Sequence, residues 1–231
     1  MTATETSISL PAGLRPKDGR FGSGPSKVRP EAIHALSSLA QDYLGTSHRR
    51  ATVKDQVSRL RSGLINLFDL PDGWEIILGN GGTTLFWDAA SFGLIEYVSQ
   101  HLDFGEFSSK FAQVVQAAPH LAEPQIISSE PGTHPLPIAS NVDTYALTHN
   151  ETSTGVSAVL SRPTSEGLVL VDATSAAGAI QWNSSEVDCY YFAPQKALAS
   201  DGGLWLAACS PRAVERIELL ASGDRWIPAG L

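Results

Sequence analysis

Apolar positions recur along this chain with a helical spacing in some stretches and as short continuous runs in others. From residue 30 to about residue 44, and again from about residue 52 to residue 68, apolar side chains return every three or four positions. This spacing predicts two amphipathic helices, and in the second helix the apolar stripe is expected to face the core. The stripe positions are Ile33, Leu36, Leu39 and Tyr43 in the first helix and Val53, Val57, Leu60, Leu64 and Phe68 in the second.

Short apolar runs bounded by turn residues predict the strands of a sheet. Further helices are predicted at 85–98, after the aromatic stretch 102–111, and at 211–220. The alternation of strands and helices indicates an α/β fold with a mostly parallel central sheet flanked by helices, whose ligand site lies at the carboxyl edge of the strands. The predicted strands cover 74–78, 125–127, 144–147, 168–171, 187–192 and 203–209, and 157–160 is expected to continue the sheet.

Composition narrows the class of protein. With 231 residues and 42% apolar composition, the chain is long enough for one large domain, expected over 21–231 after a flexible lead-in at 1–20. A net charge of −8 does not favour nucleic-acid or anionic-membrane binding. The two cysteines lie in apolar runs, which predicts no disulfide framework and a reducing compartment. With no secretory pattern at the amino terminus and no membrane-spanning run, the sequence predicts a soluble cytoplasmic protein.

An acid and a lysine follow two of the predicted strands. Asp172 ends the apolar run 168–171, and Lys196 comes just after the run 187–192. Pyridoxal phosphate needs a lysine amine to hold its aldehyde and an acid to keep its ring nitrogen protonated, so the two residues suit that cofactor. The alternative is that Asp172 caps a helix beginning at Ala173 and that Lys196 is a solvated loop residue.

Three further loops offer groups suited to the same ligand. The strand, glycine-rich turn and helix around residues 79–84 present the backbone amides of Gly82 and Thr83 to a phosphate. An aromatic side chain at Phe107 can stack on a flat ring or fill the core, and hydroxyl groups near Thr152 can hold a polar edge. Together with the acid and the lysine, these groups fit pyridoxal phosphate better than a nucleotide.

A basic pair lies between the first two helices. His48 and Arg49 form either a clamp for a phosphate or carboxylate or a solvated basic loop. The sequence contains no spacing of histidines or cysteines that is typical of a metal site.

The order of these motifs resembles the phosphoserine aminotransferase family. The resemblance is carried by GSGPSKVRP at 22–30, SHR at 47–49, GNGGTT at 79–84, HNETSTG at 149–155, VDATS at 171–175 and APQKALASDGG at 193–203. It implies a fold-type I enzyme that uses pyridoxal 5'-phosphate to transfer an amino group from L-glutamate to 3-phosphohydroxypyruvate, giving 3-phospho-L-serine and 2-oxoglutarate in serine biosynthesis. It also implies a homodimer.

The resemblance assigns a role to each matching residue. It makes Lys196 the Schiff-base lysine and proton carrier, and Asp172 the partner of the pyridine nitrogen. The other implied contacts are Gln195 with the backbone of Gly82 and Thr83 for the cofactor phosphate, Thr152 for the ring oxygen, Phe107 for stacking, and His48 with Arg49 for the acidic groups of the substrate.

The chain departs from the family pattern in two ways. Many members carry arginine and tryptophan where this chain has Thr83 and Phe107, so recognition of the substrate phosphate is expected to differ. Members also continue into a smaller C-terminal domain, which is expected to be absent from this chain. Two other functions therefore stay open: a fold-type I aminotransferase acting on small unphosphorylated amino acids of the alanine or serine type with glyoxylate or pyruvate, and a fragment that folds without catalysing.

Overall fold

The computed structural model describes residues 9–16, 18–19, 24–164 and 166–231. Much of the lead-in predicted at 1–20, and residues 22–23 of the first motif, lie outside the described residues. Within the described part no helix combines the length and the hydropathy that a membrane span requires. The helices are α1 (Pro30–Tyr43), α2 (Ala51–Leu67), α3 (Thr83–Gly93), α4 (Glu106–Gln116) and α5 (Pro211–Ser222).

A seven-stranded sheet organises the fold, in the order β1-β9-β8-β7-β4-β2-β3. Its strands are parallel except for β9, which runs antiparallel to both of its neighbours. The predicted fold class, a mostly parallel sheet flanked by helices, is confirmed. The strand bounds are β1 (Glu75–Asn80), β2 (Ser99–Asp103), β3 (Gln125–Ser128), β4 (Thr144–Thr148), β5 (Asn150–Glu151), β6 (Val156–Ser157), β7 (Leu168–Asp172), β8 (Cys189–Phe192) and β9 (Leu204–Cys209).

Helices cover the sheet unequally on its two faces. On one face, α3, α4 and α5 pack against a cluster that includes Tyr191 and Cys209. On the other face, the carboxyl-terminal part of α2 and the segment around Trp182 pack against Tyr190 and Phe192. The central strand β7 is buried along its whole length because apolar groups cover it from both sides. Its carboxyl end, at Asp172, is therefore rigidly placed.

The two cysteines face each other across β8 and β9. Cys189 and Cys209 are paired in the strand register, and their sulfur atoms lie 3.7 Å apart. Both are free thiols. Both thiols are buried, so they pack as small apolar side chains inside the sheet.

One strand of the sheet was missed, and one strand prediction was wrong. Strand β2 was not predicted because Ser99, Gln100 and His101 are polar, yet all three are buried. Their polar atoms find partners inside the protein, for example the Ser99 hydroxyl 3.0 Å from His101 Nε2. Residues 157–160 do not continue the main sheet either, because β6 pairs with β5 in a separate two-stranded hairpin.

The core-facing stripe predicted for α2 holds only at its carboxyl end, where Leu64 is buried and Phe68 packs against the core. Among its stripe positions only Leu64 is buried, whereas Val57 and Leu60 are exposed. The reason is that α2 reaches the sheet only near its carboxyl end, where Leu64 joins the cluster containing Ile76. Helix α1 contains no buried residue, and Ile33 is 59% exposed.

Candidate functional site

A cavity of about 230 Å³ opens at the carboxyl edge of the sheet, beside the amino-terminal turns of α3 and α4. The residues that the sequence indicated for the cofactor come from five separate segments, and the fold brings them together in its wall. They are Gly82, Thr83, Phe107, Thr152, Asp172, Gln195 and Lys196. The remaining wall residues are Thr84, Trp87, Thr148, Asn150, Thr174 and Ser175.

Helix α3 begins at the cavity with free backbone donors. Strand β1 ends at Asn80, and Gly81 then turns the chain with a φ of +93°, a conformation that favours glycine. The helix cap, Gly82, has no side chain to accept hydrogen bonds from the first turn. An uncapped helix start presents its N–H groups and the positive end of its dipole to an anion.

Asp172 is buried at the end of β7 and is held by several donors. Its Oδ1 accepts hydrogen bonds from the Thr174 backbone N–H at 2.9 Å and from the Thr174 hydroxyl at 2.6 Å. Burial raises the pKa of Asp172, whereas the hydrogen bonds from Thr174 and Tyr191 lower it and the charge of Glu151 raises it further. Burial dominates, so the pKa lies above its ordinary value.

Two contacts connect Asp172 to helix α3. The hydroxyl oxygens of Thr174 and Thr83 lie 3.0 Å apart, within hydrogen-bond distance. Trp87, one turn after Thr83, donates its indole N–H to the Tyr191 hydroxyl at 3.1 Å. The carboxylate is therefore fixed both to its own turn and to the helix that presents the free amides.

Lys196 lies half-buried in the loop that follows β8, next to Gln195. The backbone carbonyl of Gln195 accepts a hydrogen bond from the Ser26 N–H at 2.6 Å, which anchors the loop. The Gln195 side-chain oxygen is buried and has no hydrogen-bond partner in the described part of the chain. A buried acceptor without a partner at the wall of a cavity can accept a hydrogen bond from a donor group of a bound ligand.

His48 and Arg49 do not line this cavity. Both are exposed in the turn between α1 and α2, where the Arg49 N–H donates to the Ser47 hydroxyl at 3.3 Å. Their predicted role in binding the acidic groups of the substrate stays a prediction.

Comparison with curated proteins gives matches over nearly the whole chain. A phosphoserine aminotransferase from a Nocardioides species is 56% identical over 227 residues, which cover 96% of this chain and 61% of that protein. A putative phosphoserine aminotransferase from Mycobacterium leprae is 55% identical over 225 residues, covering 96% of this chain and 60% of that protein. The chain is a sequence relative of the phosphoserine aminotransferases. The resemblance inferred from the motifs is thereby confirmed.

The match to the phosphoserine aminotransferases is partial in length. The chain spans about 60% of the curated relatives that it matches. No family model matches the chain.

Solved structures of aminotransferases share the fold. A phosphoserine aminotransferase from Cytophaga hutchinsonii superposes with a TM-score of 0.78 at 22% identity, over 89% of this chain and 59% of that one. An alanine–glyoxylate aminotransferase from a Nostoc species superposes with a TM-score of 0.69 at 20% identity, over 96% of this chain and 62% of that one. At these identities the superpositions show the fold alone.

Several residues in or next to the cavity wall were not found from the sequence. Thr174 follows the acid by two positions, a spacing at which a hydroxyl and a backbone N–H commonly bond a carboxylate, so this contact was detectable. Trp87 lies four positions after Thr83 on the same face of α3, which is also a detectable signal. Tyr191 was not detectable, because only the register of β7 and β8 places it beside Asp172.

Proposed function

We propose that residues 21–231 form the pyridoxal phosphate-binding large domain of a phosphoserine aminotransferase. The reaction is transfer of the amino group from L-glutamate to 3-phosphohydroxypyruvate, giving 3-phospho-L-serine and 2-oxoglutarate. One observation carries the proposal: Lys196, Asp172 and the uncapped start of α3 lie in the wall of one cavity. The identity of 55–56% to curated phosphoserine aminotransferases supports the choice of substrates.

The residues of the cavity fit pyridoxal phosphate. The first turn of α3 offers backbone donors for a phosphate, and Gln195, whose side-chain amide can donate to the same group, lines the same cavity. When bound, the cofactor supplies an aldehyde that accepts the amino group and a ring that takes up the electron pair released at the substrate α-carbon. Asp172 would hold the proton of the ring nitrogen in a hydrogen bond.

Lys196 performs the proton chemistry in this proposal. Its amine would hold the aldehyde of the bound cofactor and, once the amino group of glutamate takes its place, would be free to act as a base. It would then remove the α-proton of glutamate and carry that proton during the transfer of the amino group. The same amine carries the proton in the opposite direction when the keto acid is bound.

A second candidate function follows from the charges around the cavity. Among its wall residues Lys196 is the only cation, and Thr83 stands where many family members carry arginine. A cavity without arginine favours an aminotransferase that acts on small unphosphorylated amino acids. In the first proposal, His48 and Arg49 would bind the acidic groups of the substrate, which requires that they approach the cavity.

We also propose a cytoplasmic homodimer. The free, buried thiols are typical of a reducing compartment. The exposed apolar stripe of α1, with Ile33 at 59% and Leu36 at 47% exposure, is a surface that a second copy of the chain would cover.

The cofactor assignment can be tested by borohydride reduction after incubation of the purified chain with pyridoxal phosphate, followed by peptide mass mapping. We expect one stable adduct, on the peptide that carries Lys196. Lys196→Ala should lose this adduct, whereas Lys110→Ala, which removes an exposed lysine paired with Glu106 at 2.8 Å, should retain it. Adducts scattered over surface lysines would contradict the proposal.

The substrate is tested separately, with the same preparation. Rates of amino transfer from glutamate to 3-phosphohydroxypyruvate and to unphosphorylated keto acids such as glyoxylate and pyruvate are compared. A preference of about 100-fold for the phosphorylated acid is expected, because a bound phosphate makes several charge-assisted hydrogen bonds. A preference for the unphosphorylated acids would favour the second candidate, and a specific adduct without turnover with any acid would indicate a fragment that does not catalyse.

A further inference from the structure

Helix α4 carries Phe107 in its first turn but has no cap of its own. The residue at the cap position, Gly105, offers no side chain, and no local side chain accepts from the first turn. Helix starts need acceptors for their free N–H groups, and those of α4 adjoin the candidate site. Residues more than 40 positions later in the sequence supply them.

The acceptor is the fully buried carboxylate of Glu151, in the hairpin strand β5. Its Oε2 accepts hydrogen bonds from the backbone N–H groups of Phe107 at 3.1 Å and Ser108 at 2.9 Å. Its Oε1 accepts from the hydroxyl and the N–H of Ser153, at 2.7 and 3.2 Å. The Ser153 oxygen in turn accepts from the Glu106 N–H at 2.9 Å.

The packing at this point is close. A Cβ atom added to Gly105 would lie 2.4 Å from Glu151 Cγ and 2.6 Å from the Ser153 oxygen, so a side chain there would push the hairpin away from α4. The segment that holds Glu151 also lines the cavity on either side of it, through Asn150 and Thr152. One short segment therefore forms part of the site and also anchors the helix that forms another part.

We propose that Glu151 is a positioning residue, which holds the first turn of α4 against the hairpin and so fixes Phe107 at the wall of the cofactor cavity. The structural claim, that Glu151 holds the first turn of α4, concerns the chain alone. The claim that this contact affects cofactor binding rests on the proposed function. Glu151 does not line the cavity, so its effect on a ligand would be transmitted through Phe107.

Glu151 can also influence the site electrostatically, and this effect has to be distinguished from its effect on the position of Phe107. The charge of Glu151 raises the pKa of Asp172, so a neutral substitution changes the electrostatics of the site as well as the geometry of α4. The two effects differ in their dependence on Phe107. Only the positional effect of a Glu151 substitution on cofactor binding should disappear when the aromatic ring of Phe107 is absent.

The structural claim is tested by amide hydrogen exchange of the cofactor-free chain. In Glu151→Ala, which removes all acceptors, exchange of the Phe107 and Ser108 amides should accelerate about tenfold or more relative to the rest of α4. Glu151→Gln keeps the volume and one acceptor oxygen and should give a smaller change in the same direction. If the alanine variant does not fold, Ser153→Ala serves as the second variant, with faster exchange expected at Glu106.

Asp143→Asn is the matched control. Asp143 is also a carboxylate that accepts from consecutive backbone N–H groups, those of Glu96, Tyr97 and Val98, at 2.7 to 2.9 Å, but it does not line the cavity. Its substitution should accelerate exchange at 96–98 and leave Phe107 unchanged. Equal acceleration of the Phe107 amide in both variants would overturn the proposal, because the effect would then reflect general loss of stability.

The claim about cofactor binding is tested by a double-mutant cycle on the affinity for pyridoxal phosphate, measured by tryptophan fluorescence. Glu151→Gln should weaken binding about tenfold in the wild-type background and much less in a Phe107→Leu background. Asp143→Asn should leave the affinity unchanged. An equal loss in both backgrounds would overturn the positioning role. If the wild-type chain fails to bind the cofactor, the proposed function fails with it, and the exchange experiment alone decides whether Glu151 fixes the turn.

Discussion

At the scale of single residues, the proposed function requires a charged Asp172, although its carboxyl group is buried. Burial raises its pKa, and the hydrogen bonds from Thr174 and Tyr191 oppose that rise. A charge that is desolvated but hydrogen-bonded is a strong acceptor for one further donor. The cofactor's ring nitrogen is the donor that the proposed function supplies.

Replacing Asp172 with alanine should separate binding from catalysis. Lys196 is untouched, so Asp172→Ala should still form the borohydride-stable adduct. The rate of amino transfer from glutamate, followed by the change in cofactor absorbance in a single turnover, should fall about 100-fold or more because the ring nitrogen loses its charged partner. An undiminished rate would show that Asp172 has no role at the ring.

At the scale of elements, strand β2 is stabilised by polar residues that the interior satisfies. His101 is 1% exposed, and its ring contacts Phe111 edge-on at 4.9 Å between centroids. Burial lowers the pKa of His101 to about 3, from an ordinary value of 6.5. The folded protein therefore keeps this ring neutral at a pH at which the unfolded chain takes up a proton.

This histidine should make stability depend on pH. Because the folded pKa is lowered, its contribution is complete above about pH 6.5 and is lost as the pH falls toward about 3. Between pH 7.5 and pH 5 the free energy of unfolding should fall by about 2 kcal/mol from this group, at 1.36 kcal/mol per pKa unit. Urea unfolding at both values should show a correspondingly smaller fall in His101→Gln, while His34→Gln, at an exposed position of α1, should behave as wild type. Equal falls in all three proteins would contradict this account.

At the scale of the whole molecule, helices bury one face of the sheet, whereas the helices on the other side leave apolar side chains exposed. Helices α3 to α5 bury one face of the sheet, whereas α1 and most of α2 lie beyond it with their apolar side chains exposed. Exposed apolar side chains lie on the surface of both helices, Ile33 and Leu36 on α1 and Val57 and Leu60 on α2. Burying these side chains, as in the proposed dimer, would stabilise the protein.

A charge on this surface should dissociate the dimer. Sedimentation equilibrium of Leu36→Glu should give a dissociation constant raised about 30-fold or more, because an unpaired carboxylate would be desolvated in the interface. The control is Leu219→Glu on α5, which is 59% exposed and lies away from α1 and α2, and which should leave the constant unchanged. A wild-type chain that is monomeric at all concentrations would contradict the homodimer.

The sequence by itself determined the fold class, the central strands β7 and β8 and part of the wall of the site. Continuous apolar runs specified β7 and β8 because a strand buried on both faces must be apolar throughout, and this placed Asp172 and Lys196 at strand ends. Local chemistry also revealed the glycine turn before α3, since a glycine at the cap position has no side chain to accept hydrogen bonds from the first turn.

Only the tertiary structure decided the contacts between distant segments. It made β2 a buried strand, because its polar groups find partners that no local pattern reveals, and it left the stripes of α1 and α2 exposed, because periodicity records that a face is apolar but not what covers it. It also placed Tyr191 beside Asp172 and made Glu151 the cap of α4. These pairings depend on strand register and on the packing of the hairpin, and so they arise only when the whole chain has folded.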